Sequence, residues 1–517
     1  MSARTFRLVL VLISALYAAQ GLHYARVLIP VHDAVMYLFI GAKAVLGEVS
    51  LYDDRLVGHR PPLPFYVLGL TQVRGPNLLA ARWLNVGLGV LVVLMTAVLA
   101  RQLGGNVAGA LAAAFLATQG VVVAYYSYEG YPATAAFCFM LASLLLFAGG
   151  AGAVVAGMAA AGALFFVRSN VWPAIPFLLA YGLWRARDLR ERLLGLAAAL
   201  LPPLVFFLWD TRHLKILANV PVARRWVEPL GYVSPLVLDD RQTLLLGDQL
   251  WEAARLVRRY EFWVLAVVLL IGLAVWRYGP RRVVRGLVAR PRIALLTLLF
   301  AYMLAAQFVV FSWNWRWVGL YFLPVAPLVA VILGLGFAAL IERARPGAPR
   351  AVLAVVLLAL LAPPVYWARN PLLPIGEAAA ADPFGAAHRA GEHLRRLVPT
   401  DARIFFYGLN AVYYLSGLPA TYLQQVYLPD PFAHIQAEDW VLRRSGFVPL
   451  SDMRRWLSTE ADYAVMDRSM LEPRAQAPGP EREMQALLDQ HFELIGTVEE
   501  FIHTPYLVYR RRPARNP

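Results

Sequence analysis

The sequence predicts a polytopic α-helical membrane protein with about eleven transmembrane helices and a C-terminal extracytoplasmic α/β domain. Three observations carry that expectation. Hydrophobic residues fill 59% of the 517 positions and charged residues only 16%, against roughly 25% in globular domains. The missing charge is concentrated in long uncharged runs, which a bilayer requires because each spanning helix needs about 20 apolar residues. Arginine then recurs in alternate short loops between those runs, the pattern that sets membrane orientation.

The spans are expected near 8–28, 78–100, 106–125, 132–149, 151–167, 171–185, 192–209, 261–277, 293–312, 316–341 and 351–368. The first follows Arg4 and Arg7 and no small-residue cleavage site follows it, so it reads as a retained helix rather than a removed signal peptide. With the N-terminus cytoplasmic, the inner loops hold Arg101, then Arg185, Arg187, Arg190 and Arg192. Arg277, Arg281, Arg282, Arg285, Arg290 and Arg292 follow, and then Arg343, Arg345 and Arg350. Arg168 and Arg316 stand almost alone on the opposite side. An odd number of spans places residues 370–517 outside the cytoplasmic (plasma) membrane and gives two domains, 1–369 and 370–517. Two long outer loops, 29–77 and 210–260, lie on the same face as that second domain, and long loops are commonly functional.

The C-terminal domain alternates helix and strand. A polar helix near 384–398 precedes the apolar stretch Ala402–Gly408, and Ala461–Asp467 repeats that character. A helix near 481–490 leads into a closing strand pair at Phe492–Val498 and Tyr506–Arg510, so a small α/β sheet is expected. It contains no glycine-rich phosphate loop.

The net charge of +15 is mainly arginine in short loops and does not argue for a nucleic-acid partner. Only Lys43 and Lys215 are lysines. The single cysteine, Cys138, lies in an apolar span and cannot form a disulfide within the chain. The histidines show no metal-ligand spacing, so no structural zinc is expected and no cofactor is assigned, though a metal is left open.

The candidate site residues cluster at outer membrane boundaries. Asp33 directly follows the first span, as either the cap of a helix over Ala34–Leu46 or a general base at the lipid–water boundary. His59-Arg60-Pro61-Pro62-Leu63 holds Arg60 extended ahead of two prolines, suited to a lipid phosphate or, more simply, to bulk headgroups. Glu129 sits among Tyr125, Tyr126, Tyr128 and Tyr131 in an outer turn, as a working carboxylate or a solvated turn residue. Those aromatic residues suit sugar stacking and equally the interfacial belt. Arg168 and Arg316 break the inside-positive trend and call for a phosphate, a carboxylate or snorkelling to headgroups. Arg224, Arg225 and Tyr232 are weaker candidates of the same kind.

An acid just after the first span, then Arg60-Pro61-Pro62-Leu63, then Glu129 and a late Arg316-Trp317…Leu323-Pro324, resembles the GT-C glycosyltransferase superfamily. The similarity is greatest to the dolichyl-phosphate-mannose protein mannosyltransferase-like branch, which includes bacterial aminoarabinose and related polyprenyl-phosphate-sugar transferases. Many relatives carry Asp-Glu where this chain has Asp33-Ala34, and some carry an acid where it has His59. Any second carboxylate would have to be Glu129, Asp53 or Asp54. The resemblance implies an inverting transferase that takes a sugar from a polyprenyl-phosphate donor at the outer face of the membrane. Asp33 would deprotonate the acceptor hydroxyl of a glycan, lipid or protein. Arg60, with Arg168 or Arg316, would stabilise the leaving phosphate. A flippase or transporter of lipid-linked glycans would instead show repeats and charges at the bilayer midplane. A polysaccharide polymerase or ligase would use the same outer loops, and a sensor or scaffold would tolerate loss of Asp33.

Overall fold

In the computed structural model, residues 1–28, 32–53, 60–219, 221–233, 267–310, 322–343, 382–419, 437–471, 481–500 and 505–513 are described, apart from 129, 151, 268, 269, 273, 277, 409 and 447. The expected spans near 261–277 and 351–368 fall largely or wholly outside these residues. The chain divides into two compact units. One comprises Met1–Ala25, Arg82–Leu208 and Arg241–Pro371, and the other Arg26–Ala81, Trp209–Asp240 and Leu372–Pro517.

In the first unit, α1 (Ala3–Val27) is the first helix that its apolar run predicts. Leu8, Val11, Leu12 and Leu16 are exposed along it, a surface suited to lipid tails. Helix α2 (His32–Val45) and helix α3 (Leu63–Gly69) belong to the second unit. Helix α4 (Leu78–Thr118, 41 residues) is two helical stretches joined at a kink, where two spans were expected at 78–100 and 106–125. At 1.5 Å per residue that run is about twice the thickness of a bilayer core. It is interrupted where the two expected spans meet: Gly105 has φ 84° and ψ 179°, a conformation that a residue bearing Cβ avoids. Helix α5 (Gly120–Tyr128) is fully buried, and α6 (Pro132–Ala148) leaves it at 111°.

Helices α7 (Ala153–Ala163), α8 (Ala174–Arg185) and α9 (Leu189–Trp209) follow. α8 begins later than its expected start at 171, because 3₁₀ turns at Leu164–Phe166 and Ser169–Val171 occupy the junction. Arg185, in the last turn of α8, donates to the carbonyls of Leu146 and, at 3.1 Å, Gly149, so a cation satisfies the carboxyl end of α6. Helix α10 (Pro221–Val227) belongs to the second unit, and α11 (Pro280–Val288), α12 (Pro291–Val310) and α13 (Ala326–Arg343) to the first. Among the described residues, four helices are long and apolar enough to cross a membrane, or up to six if each sharply bent pair is one span.

The C-terminal residues build a four-stranded sheet of order β1-β2-β4-β3, with β1 (Ile404–Tyr407), β2 (Tyr463–Asp467), β3 (Phe492–Val498) and β4 (Tyr506–Arg511). β1 and β2 are parallel and the other pairs antiparallel. All four residues of β1 are buried, as a parallel strand covered on both faces requires. Phe405, Trp456, Met466, Leu488 and Phe492 form the core beside the sheet. Helix α14 (Pro383–Leu397) covers the expected polar helix and starts on Asp382, whose carboxylate accepts from the Gly385 amide at 3.1 Å.

Candidate active site

The second unit holds the first cluster. α2 and α3 pack at backbone contact: a Cβ on Gly41 would lie 2.2 Å from the Phe65 carbonyl oxygen, and one on Gly69 would lie 2.3 Å from the Gly41 carbonyl carbon. Only glycine permits that approach. It brings the Tyr37 and Phe65 rings to a centroid separation of 4.6 Å. The Arg60 guanidinium, 3% exposed, stands 5.4 Å from the Tyr37 ring centroid, within cation–π range. The Arg60 carbonyl accepts from the buried Tyr52 hydroxyl at 3.0 Å, which fixes the backbone that carries the guanidinium. Burial pushes the Tyr52 hydroxyl well above the usual phenol range, and the neighbouring Tyr66 and Tyr37 add to that. Tyr52 therefore stays a neutral donor.

Around this core lies a second layer of charge. Lys215, 1% exposed, donates to the carbonyls of Tyr52 at 3.3 Å and Asp53 at 3.1 Å. Arg212 pairs with Asp53 and with Asp210, the latter at 2.8 Å. Its hydrogen bond is the main reason that the Asp210 carboxyl lies below the usual carboxylate range. The Tyr52 ring meets the His213 ring edge-on at 4.9 Å. Tyr37 and Tyr52 thus meet Arg60, and residues 212–215 in turn hold Tyr52 and Asp53.

The first unit holds another set. Arg168, 8% exposed and on extended backbone between two 3₁₀ turns, places its guanidinium 4.1 Å from the Tyr131 ring centroid. The sequence placed Arg168 and Tyr131 at the outer boundary separately, and the structure brings them together. Tyr128 is buried with its ring 5.2 Å from Tyr125. The Tyr126 hydroxyl donates to the Leu323 carbonyl at 2.7 Å, which ties the tyrosine-rich segment to the Leu323-Pro324 turn. Arg82, 1% exposed, donates to the Ala25 carbonyl near the end of α1 at 2.7 Å.

Of the remaining sequence candidates, Asp33 lies in the first turn of α2, one helical turn before Tyr37. His59, Glu129 and Arg316 lie outside the described residues, as does Asp54. Arg225 is exposed, and Tyr232 is buried under the Arg444 guanidinium at 4.8 Å, far along the chain from any predicted partner. Sequence reasoning missed Tyr37, Arg82 and Lys215 as parts of these clusters. Two had a signal. Lys215 is one of only two lysines in an arginine-rich chain, and Arg82 is a charge at the start of an apolar helix, where ionisable residues are costly.

Over its whole length the architecture is similar to a solved structure of ArnT from Cupriavidus metallidurans bound to undecaprenyl phosphate. The TM-score is 0.56 at 15% identity, covering 99% of this chain and 99% of that one. The apo state of the same protein matches at TM-score 0.54 and 15% identity, covering 98% of each chain. At this identity the likeness is one of fold. An oligosaccharyltransferase from Archaeoglobus fulgidus is also similar, at TM-score 0.48 and 13% identity, over 98% of this chain and 74% of that one. No family model and no curated protein matches this sequence.

Proposed function

We propose that this chain is an inverting GT-C glycosyltransferase that moves a sugar from a polyprenyl-phosphate donor to an acceptor hydroxyl at the outer face of the membrane. The observation that carries the reading is the buried Arg60 guanidinium over Tyr37, on the helix whose first turn contains Asp33. On this reading a general base and a phosphate-holding cation, 27 positions apart in sequence, act together. Full-length likeness to a protein solved with undecaprenyl phosphate supports a polyprenyl-phosphate ligand.

In this mechanism Asp33 takes the proton of the acceptor hydroxyl as the oxygen attacks the anomeric carbon. The bond from that carbon to the phosphate oxygen breaks on the opposite side. Arg60 stabilises the negative charge that accumulates on the departing polyprenyl phosphate, an electrostatic role that strengthens where water is excluded. Arg168 and Arg316 are the further candidate phosphate partners, Glu129 the second carboxylate, and His59, Tyr128 and Tyr131 the sugar-facing groups. The C-terminal residues 370–517 act on the outer side with the loops 29–77 and 210–260, in acceptor recognition. Donor and acceptor chemistry thus share the outer leaflet of the plasma membrane.

The test is a deletion strain complemented with the wild type or Asp33→Asn, read by mass analysis of envelope glycans. Loss of a general base lowers rates by about 10²–10⁴-fold, so the glycan restored by the wild type should be absent with the variant. Purified Asp33→Asn should keep its affinity for undecaprenyl phosphate. A variant that restores the glycan fully would refute the assignment of the base.

A further inference from the structure

Helix α11 (Pro280–Val288) has no buried residue, yet its sequence is sharply two-sided. Val283, Val284, Leu287 and Val288 share one helical face, and Arg281, Arg282 and Arg285 share the other. Val284 is 57% and Val288 70% exposed, so the apolar face is not spent on packing within the protein. The following helix α12 is 20 residues long and mostly apolar, enough to cross a bilayer core. The two axes meet at 111°, close to a right angle. When α12 stands across the membrane, α11 therefore lies near the membrane plane, the posture of an interfacial amphipathic helix.

The turn between these helices opens on a cavity of about 540 Å³ lined by Arg290, Arg292, Gln102 and Glu342, among others. Three arginines thus lie on the polar face of α11, and two more line the cavity at its end. Two cations and an amide suit a phosphodiester, and the single carboxylate, Glu342, suits a hydroxyl donor beyond it.

From this juxtaposition we infer that α11 and the adjoining cavity form a binding site for an anionic phospholipid with a hydroxylated headgroup, of the phosphatidylglycerol type. The valines and leucine enter the acyl boundary, Arg281, Arg282 and Arg285 meet neighbouring headgroups, and Arg290 and Arg292 hold one phosphate in the cavity. The site is separate from the Arg60 cluster and stands whether or not the chain transfers sugar, because it depends only on α12 spanning the membrane.

Two measurements on the full-length protein test this. Val288→Cys in a Cys138→Ala background, labelled with an environment-sensitive fluorophore in nanodiscs, should emit as from an apolar medium and be quenched by lipid-borne nitroxide. Water-like emission would overturn the placement of α11. In detergent, short-chain phosphatidylglycerol, short-chain phosphatidylcholine and inorganic phosphate are titrated separately. Only phosphatidylglycerol should bind appreciably, and Arg290→Gln/Arg292→Gln should weaken it roughly thirtyfold, from about 1 kcal/mol per arginine. Arg60→Gln should leave that affinity within about twofold, since separate sites do not couple. Equal binding of phosphatidylcholine, or binding of inorganic phosphate at the same concentrations, would overturn the lipid assignment. Loss of binding in Arg60→Gln but not in the double variant would do so too.

Discussion

Cations are handled in opposite ways around α2 and in the C-terminal sheet region. Arg60 and Lys215 are 3% and 1% exposed, and a ring face and backbone carbonyls surround them. Arg403, Arg454 and Arg510 are 53%, 54% and 56% exposed, and each lies against a surface carboxylate, Asp462, Glu483 and Glu493 respectively. Exposed pairs of this kind contribute little to stability, because solvent screens them and ordering long side chains has an entropic cost. Burying a cation costs several kcal/mol of hydration, which the interior must offset. A buried cation must be offset by its surroundings where an exposed one need not be, and that difference directs where substitutions should matter.

The sharpest way to break the comparison is to remove one cation from each region. Arg60→Ala should weaken binding of undecaprenyl phosphate about 10- to 100-fold, the value of a charge-assisted hydrogen bond or two. Arg403→Ala should leave it unchanged within experimental error. Titration of the purified variants with undecaprenyl phosphate measures both, and equal effects would dissolve the distinction. Next in size is the scaffold beneath Arg60. Gly41→Val drives a side chain into the Phe65 carbonyl, so it should destabilise the folded protein by about 1–3 kcal/mol, seen as a lower melting temperature in detergent.

How much of this was visible in the sequence follows from the range over which each signal acts. Strand β3 forms at Phe492–Val498 where expected, and β4 extends the expected Tyr506–Arg510 by one residue, because strand propensity and flanking polar residues are local signals. α1 likewise follows from its apolar run. Gly105 illustrates a different case. Hydropathy locates the division between two expected spans, and the structure breaks the helix there, at one glycine with φ 84°. Arg60 was legible from its place ahead of two prolines, and Arg168 as a charge out of place. Their pairing with Tyr37 and Tyr131 was not, since an aromatic residue near a membrane boundary has an ordinary role there and only the fold selects the ring that meets a guanidinium. Lys215 reaches Tyr52 and Asp53 across more than 160 positions, a separation that no local pattern bridges.

Smaller effects sharpen the same contrast. Tyr37→Leu removes the ring under Arg60 and should weaken undecaprenyl phosphate binding several-fold, from about 0.5–2 kcal/mol of cation–π attraction, whereas Tyr37→Phe keeps the face and should bind as the wild type does. A loss in Tyr37→Phe equal to that in Tyr37→Leu would show that the hydroxyl, not the ring, positions Arg60.

The smallest effect belongs to the surface pair Arg403–Asp462. Arg403 donates to both carboxylate oxygens of Asp462, at 3.0 Å and 2.8 Å, and holds its carboxyl below the usual carboxylate range. The folded state therefore binds this proton less readily than the unfolded chain. The stability it contributes is fully present above the unfolded value of about 3.9 and is lost as pH falls through the lower folded value. Both side chains are more than a third exposed, so screening limits the contribution to less than about 1 kcal/mol. Thermal unfolding of the wild type and Asp462→Asn should differ slightly at neutral pH and converge as the pH drops below about 4. A gap that persists unchanged into acid would mean that Asp462 acts through packing rather than charge, and that the two regions treat their ions more alike than their exposures imply.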